Sequence, residues 1–319
     1  MKQPHIAIIV LHYKNLEDTR LCLKSLKNLT YQNHSIYLVN NDDAEHLEIL
    51  KIEYPFIIPI QNDSNLGFAA GNNIGIKKAL LDARVGAVVM LNNDTEVRQD
   101  FLEPMVQKNA NMVAPRMMQY DDRNAIDNLG VTVYASGLPF NRTSEQEKLF
   151  CPSAGCALYS RELLEKVGLF DERFFAYCED LDLGFRARLA GFKTAYAPDA
   201  VVYHKGSAST GKLSTFSVRQ TYRNLVWVLW KDMPFFALLW QLPLICIGWL
   251  GLWAGYALAG RPLIIPRAFL EGYVWIMSFT KARHPIQSKR VATTQTVLSW
   301  FTPGLFPKKL PHKKNSRVR

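Results

Sequence analysis

The feature that most constrains this chain is an alternation that runs through its first 115 residues. Ile6-Ala7-Ile8-Ile9-Val10-Leu11 is a short, continuous apolar run, suited to a strand buried on both faces. Leu16, Leu23, Leu26 and Leu29 then recur at helical spacing. The same exchange repeats: strand over Ser35–Val39, helix over Glu45–Ile52, strand over Phe56–Ile60, helix over Ala69–Ala83, strand over Ala87–Leu91. Strands alternating with helices of this length predict a parallel sheet with helices on both faces. Ligands of such sheets bind beyond the carboxyl ends of the strands.

Each predicted strand ends in polar residues: His12-Tyr13-Lys14-Asn15, Asn40-Asn41-Asp42-Asp43, Asn62-Asp63-Ser64-Asn65 and Asn92-Asn93-Asp94. Asn and Asp favour turns, so one such cluster means little. Four on one edge of one sheet predict a polar ligand cleft. The next hundred residues read as mixed structure. Strands are expected over Ala154–Tyr159 and Ala200–Tyr203, and helices over Arg161–Val167, Asp180–Ala190 and 214–231.

Composition narrows the class. The 319 residues are 48% hydrophobic and 21% charged, a balance that supports a buried core and excludes a disordered chain. The formal net charge is +10, which taken alone points to nucleic acid. Its distribution argues otherwise. Residues 1–260 hold 26 Lys+Arg and 27 Asp+Glu, whereas residues 261–319 hold 12 Lys+Arg and one acid, Glu271. The body is neutral and the basic tail lacks interleaved aromatics, so no nucleic acid partner is expected. Five cysteines without repeating spacing read as reduced thiols and not as a disulfide framework or a zinc site. The N-terminus runs straight into a strand, where a signal peptide would have to be cleaved inside the core, so a cytoplasmic body is expected. Neither GxGxxG nor GxxxxGK[ST] occurs.

Three places carry candidate chemistry. Asp94 follows a buried strand, where one carboxylate can help hold a hard divalent cation. In Phe174-Phe175-Ala176-Tyr177-Cys178-Glu179-Asp180-Leu181-Asp182, three carboxylates follow an aromatic run at a helix start. Asp182 and Arg186 are spaced i, i+4 as a structural pair, leaving Glu179 and Asp180 as exposed candidates for a general base. Aromatic surroundings would raise their pKa. His204, after the last strand, is a candidate metal ligand.

Together these segments resemble the inverting nucleotide-sugar glycosyltransferases of family two, which have the GT-A fold. The matching pieces are Ile8–Asn15, Val39–Asp43, Asn65-Leu66-Gly67-Phe68-Ala69-Ala70-Gly71-Asn72-Asn73-Ile74-Gly75, Leu91–Thr95, Ser153–Arg161, Gly168–Arg186 and Val202–Ser207, in the family's order over roughly residues 5–210. Within the family the pattern is most similar to bacterial rhamnosyltransferases of surface-polysaccharide assembly. The resemblance implies a mixed sheet flanked by helices and a nucleotide-sugar donor. Tyr13 and Asn15 would line the nucleotide site, and Asn40 would stand where the family usually has a base-binding Asp. Asn65 and Gly67 would let backbone approach the donor. Asn92-Asn93-Asp94 replaces the D-x-D motif, leaving Asp94, completed by His204, as the ligand of Mg²⁺ or Mn²⁺. Asp180, with Glu179 beside it, would deprotonate the acceptor. L-Rhamnose from dTDP-rhamnose is the expected donor sugar; a galactofuranosyl- or hexosaminyltransferase using a UDP-sugar and a non-catalytic nucleotide-sugar-binding scaffold are the alternatives.

The C-terminal third has its own logic. About 25 uncharged residues from Phe235 to Ala259 are long enough to cross a ~30 Å hydrocarbon core. Lys231, Arg261 and Arg267 flank them, and Trp240, Trp249, Trp253 and Tyr256 are interface-type aromatics. A single span would put twelve basic residues outside, against the positive-inside rule, so a re-entrant or in-plane hairpin is expected. Lys308, Lys309, Lys313, Lys314, Arg317 and Arg319 would then attract anionic lipid. The expected division is a catalytic domain over 1–213, a helical membrane-associating region over 214–282 and a basic tail over 283–319. The enzyme would work at the cytoplasmic face of the cell membrane on a lipid-linked saccharide acceptor.

Overall fold

A computed structural model describes residues 3–42, 47–206 and 214–307. Asp43, Ser207, the start of the helix expected from Glu45, and the basic residues from Lys308 onward lie outside the described residues.

The predicted alternation forms β1 (His5–His12), α1 (Leu16–Leu26), β2 (His34–Asn40), α2 (Glu48–Glu53), β3 (Ile57–Gln61), α3 (Gly67–Leu80) and β4 (Val85–Asn92). These four strands are parallel in the order β3-β2-β1-β4. Every residue of β1 is buried, as its unbroken apolar run requires. Helix α3 approaches the sheet closely: a Cβ on Gly75 would stand 2.6 Å from Ile9 and 2.8 Å from Val39.

Beyond β4 the sheet is mixed and not wholly parallel. The chain adds β5 (Thr95–Val97), α4 (Leu102–Gln107), β6 (Met112–Gln119), β7 (Ile126–Asn128), β8 (Val131–Val133), β9 (Pro139–Asn141), β10 (Cys156–Ser160), α5 (Arg161–Val167), α6 (Glu179–Leu189) and β11 (Thr194–His204). The nine-stranded sheet continues β4-β10-β6-β11-β5, with β7 on β6. β10 runs antiparallel to both β4 and β6, whereas β6 and β11 are parallel. The carboxyl ends of β1, β2, β4, β6 and β11 therefore meet the start of β10 on one edge.

Five helices follow: α7 (Thr215–Asp232), α8 (Phe235–Leu258), α9 (Ile264–Val274), α10 (Ile276–Ser288) and α11 (Thr294–Ser299). Two apolar clusters centre on the sheet, one with α1 and one with α3 and α5. A third joins α6 and the β8–β9 hairpin to α7, α8 and α9. Lys231 is buried in that third core, paired with Asp171 and Asp182, and is not a flank of the apolar segment as its sequence position suggested.

Candidate active site

A cavity of about 740 Å³ opens where the strand ends converge. Tyr13, Asn65, Gly67, Asn92, Asn93, Asp94, Glu179, Asp180 and His204 all line it. Asn15 and Asn40 do not. Asn15 caps α1 from a left-handed conformation (φ 59°), its Oδ1 accepting from the Asp18 N–H. Asn40 donates to Gln61 Oε1 at 2.9 Å and accepts from the Asp42 N–H, so its amide serves the loops around it. A groove of about 830 Å³ between α1 and β5 is larger. Four of its charged side chains form two pairs, Arg98 with Asp100 and Arg123 with Glu96, and it gathers none of the loops after β1 to β4.

One wall is built from amides. Asn41 is buried at the end of β2; its Nδ2 donates to Asn65 Oδ1 (2.9 Å) and to the Gly67 carbonyl, while its Oδ1 accepts from Asn62 and the Leu66 N–H. It ties the loops after β2 and β3 into one surface. Gly67 begins α3 at φ +82°, and a Cβ there would stand 2.6 Å from the Phe175 carbonyl oxygen. That carbonyl accepts the Ala69 N–H. Asn73 exchanges hydrogen bonds with the Phe170 backbone in both directions. Residues 65–75 are thus the seat on which 168–175 rests.

A second wall, resting on the first, is the segment that enters α6. Phe175, Tyr177 and Cys178 all have positive φ, a conformation that strains a side-chain-bearing residue by about 1–2 kcal/mol each. Such strain persists only when its surroundings over-determine it. Asn224 of α7 supplies the constraint: fully buried, its Nδ2 donates to the carbonyls of Phe174, Ala176 and Tyr177 at 3.0, 2.9 and 2.7 Å. Sequence reasoning missed Asn224, which in Asn224-Leu225-Val226-Trp227 looks like one polar position in an apolar helix.

This strained entry aims two unlike carboxylates. Glu179 is buried, not exposed as its position beside Asp180 suggested, and its Oε2 has no hydrogen-bond partner. Burial, reinforced by Asp180, pushes it well above the usual carboxylate range. Asp180 is half-buried. Burial raises it too, but N–H groups of Ala154 (3.1 Å) and Leu181 (2.8 Å) donate to its oxygens and oppose the rise. Beneath them the predicted Asp182–Arg186 pair is present at 2.7 Å and buried. Arg186 also donates to the carbonyls of Val167 and Leu169, tying α6 to the loop before it.

Across the cavity Asp94 faces His204: Oδ1 lies 3.4 Å from Nε2, and the other ring nitrogen meets Asp127 Oδ2 at 2.8 Å. Burial disfavours the imidazolium, but the hydrogen bond to Asp127 and then the nearby Asp94 carboxylate outweigh it and lift His204 to about 9. Asp127, from β7, was not predicted; in Asp122-Arg123-Asn124-Ala125-Ile126-Asp127 it reads as part of a polar loop. Orienting one ring nitrogen of a histidine with a carboxylate is the usual second layer of a metal site. Asp94 Oδ1 is buried without a hydrogen-bond partner. A divalent cation fits there in place of the His204 Nε2 proton, where it would meet an unsatisfied hard oxygen and a neutral imidazole nitrogen. Among the described residues no group of three or more His, Cys, Asp or Glu side chains surrounds one point, so further ligands would have to come from a bound molecule.

The sequence profile of Glycosyl transferase family 2 matches residues 7–168, about half of the chain. The chain belongs to that family. It is a glycosyltransferase, and the mixed sheet flanked by helices is the GT-A fold. Over 245 residues it is 23% identical to the low-salt glycan biosynthesis hexosyltransferase Agl10 of Haloferax volcanii, covering 69% of this chain and 73% of that protein. A shorter segment of 60 residues is 47% identical to the N-acetylglucosaminyl-diphospho-decaprenol L-rhamnosyltransferase of Mycobacterium tuberculosis. That match spans 19% of this chain and 20% of the relative. Among solved structures, the mannosyltransferase PcManGT of Pyrobaculum calidifontis, in complex with GDP-Man and Mn²⁺, superposes with a TM-score of 0.54. It shares 15% sequence identity, with 86% of this chain and 87% of that one covered.

Proposed function

We propose that this glycosyltransferase moves a sugar, with inversion, from a nucleotide donor to a lipid-linked saccharide at the cytoplasmic face of the cell membrane, in surface-polysaccharide synthesis. Residues 1–213 act as the catalytic domain and 214–282 as the membrane-associating region; of the proposed basic tail, 283–319, the part up to 301 completes α10 and packs α11 on the third core. The observation that carries this reading is the opposition, within one cavity, of Asp180 on α6 to Asp94 and His204 at the ends of β4 and β11.

Asp180 is the general base. Two N–H donors, one to each oxygen, fix the carboxylate at the cavity and leave each oxygen a further lone pair, and its raised pKa strengthens it as a proton acceptor. It takes the proton of the acceptor hydroxyl as that oxygen bonds to the anomeric carbon; the bond to the nucleotide diphosphate breaks on the opposite face, which inverts the centre. One ionised carboxylate suffices for this, and burial disfavours the charged form of Glu179, which leaves that role to Asp180. Asp94 and His204 would hold Mg²⁺ or Mn²⁺, which as a Lewis acid neutralises charge on the leaving diphosphate. Tyr13, Asn92 and Asn93 line the donor half of the cavity with Asn65 and Gly67, whose loop Asn41 fixes. Asn15 and Asn40 contribute by shaping the loops behind that half.

dTDP-rhamnose is the first donor to test, supported by the rhamnosyltransferase relative. A hexose carried by UDP is the second, favoured because the hexosyltransferase relative aligns along far more of the chain. Purified protein is offered dTDP-rhamnose and a panel of UDP-sugars with Mn²⁺, with Mg²⁺ and with EDTA, and nucleotide release is measured. Turnover of one donor, abolished by EDTA, is expected. Donor binding without turnover under any condition, lipid-linked acceptor included, would mark a non-catalytic binding protein.

A further inference from the structure

We infer that α8 does not cross a bilayer but lies in the plane of one leaflet, with α9 beside it, so that the pair forms a docking face for an anionic lipid surface. The inference rests on the membrane association proposed above and adds its geometry. Helix α8 has 24 residues and no charge, hence a length of roughly 36 Å, enough to span. Length alone does not decide the matter.

Packing does. Ala237, Gln241, Ile245, Gly248 and Leu252 form a single buried stripe along α8. They seat about 22 Å of the helix axis on the body. A Cβ on Gly248 would stand 2.5 Å from Ser136 in the β8–β9 turn, and one on Gly251 would stand 3.0 Å from Phe306. Trp249 packs edge-on against Tyr222 of α7, with ring centroids 6.0 Å apart. A spanning α8 would pull the β8–β9 turn and residues 302–306 into hydrocarbon. Non-helical backbone is tolerated there only when protein or a water-filled cavity shields it.

The other side of α8 is open. Leu239, Trp240, Ile247 and Leu250 are exposed, with Trp240 76% accessible, and on α9 Phe269 and Leu270 extend the same apolar surface. A helix with one face on protein and an uncharged apolar face outward fits the interface of a single leaflet. Charge selects the lipid. Arg267, Lys281 and Lys289 are exposed nearby, and Glu271, the only acid after residue 260, is already paired with Arg219 at 2.7 Å. The face also adjoins the cavity: Arg261, between α8 and α9, donates to Thr215, and neighbouring Phe216 lines the cavity mouth.

The test is label depth in phosphatidylcholine vesicles containing 30% phosphatidylglycerol. Spin labels are placed on the native, exposed Cys246, and on Leu239→Cys and Ala254→Cys in a Cys246→Ser background; the other four cysteines are buried. The protein should float with the vesicles, and the three labels should report one depth, within about 5 Å, near the headgroup boundary. A spanning helix would instead leave Cys246 about 10 Å deeper than its neighbours, which overturns the in-plane arrangement while leaving membrane association intact. Labels that stay water-exposed or become buried in a protein dimer, or failure to bind vesicles at all, overturn both.

Discussion

The two walls of the cavity are held in different ways. The wall at the ends of β2 and β3 is tied by neutral amides that lie close in space and in sequence: Asn41 joins Asn62, Asn65 and Leu66 within 25 residues of itself. The wall formed by 168–189 is held from outside, by side chains of α7 some 50 to 60 residues further on, Asn224 through three carbonyls and Lys231 through Asp171. Buried charge is concentrated there as well, in Asp182, Arg186, Lys231 and Asp232. The loops of the first wall are tied mainly to each other. The second, which carries the proposed base, depends on the helical region.

That contrast can be broken at its strongest point first. Lys231→Met removes one partner of a buried ionic cluster and should destabilise the protein by about 3–5 kcal/mol, read as a lower urea midpoint. The exposed Arg98–Asp100 pair, truncated the same way, should lose no more than about 1 kcal/mol. Equal losses would mean that the α7 anchor is nothing special.

Next in size is Asp94→Ala. It removes the unsatisfied oxygen facing His204, and donor affinity in Mn²⁺ should weaken on the order of a hundredfold, equivalent to about 2.7 kcal/mol. Affinity in EDTA should hardly change. Calorimetry under both conditions checks this; an equal loss with and without metal would give Asp94 a structural role.

Asn224→Leu should act more mildly, leaving three carbonyls short of a donor at about 1–3 kcal/mol in total. Its signature is selective: turnover falls on the order of tenfold, while donor KM stays within about twofold, because only the second wall loosens. Unchanged turnover at a lowered melting temperature would show that the strained entry holds itself.

The smallest effect is on the pH dependence of stability. Glu179 is raised in the folded state, so between its unfolded pKa of about 4.3 and its folded value the native protein binds the extra proton, and stability falls as pH rises. Glu179→Gln should flatten that decline above about pH 4.5, measured by urea midpoints at several pH values. A steeper decline in the variant would contradict the assignment.

Much of this was legible in the sequence, and the failures have physical causes. β1 and β4 are buried on both faces, so their apolar runs are unmistakable, and the Asn92-Asn93-Asp94 that ends β4 lines the cavity. β6 escaped because Pro115 and Arg116 interrupt its apolar residues, and β7, β8 and β9 because three residues carry no period. β11 begins at Thr194, six residues before the expected strand, because its pairing with β6 shifts register between Ala197 and Val201. Among side chains, the carboxylates could be found but not ranked, since burial and not spacing separates Glu179 from Asp180. Asn224, Asp127 and Lys231 were hidden because each acts on a segment far away in sequence. Lys231 was misread for the same reason, its partners lying about 50 and 60 residues upstream.

Whether Asp180 is the base of the second wall is tested most directly by single-turnover transfer in Asp180→Asn, with donor affinity measured on the same preparation. The amide keeps the shape and an acceptor oxygen for one of the two N–H groups, which in the parent donate to different oxygens, but it cannot take the acceptor's proton. Loss of transfer by at least about a thousandfold, within the range general-base catalysis supplies, is expected, with donor affinity within about twofold of the parent. Transfer at the parental rate would remove Asp180 from the reaction and with it the proposed division of labour between the two walls.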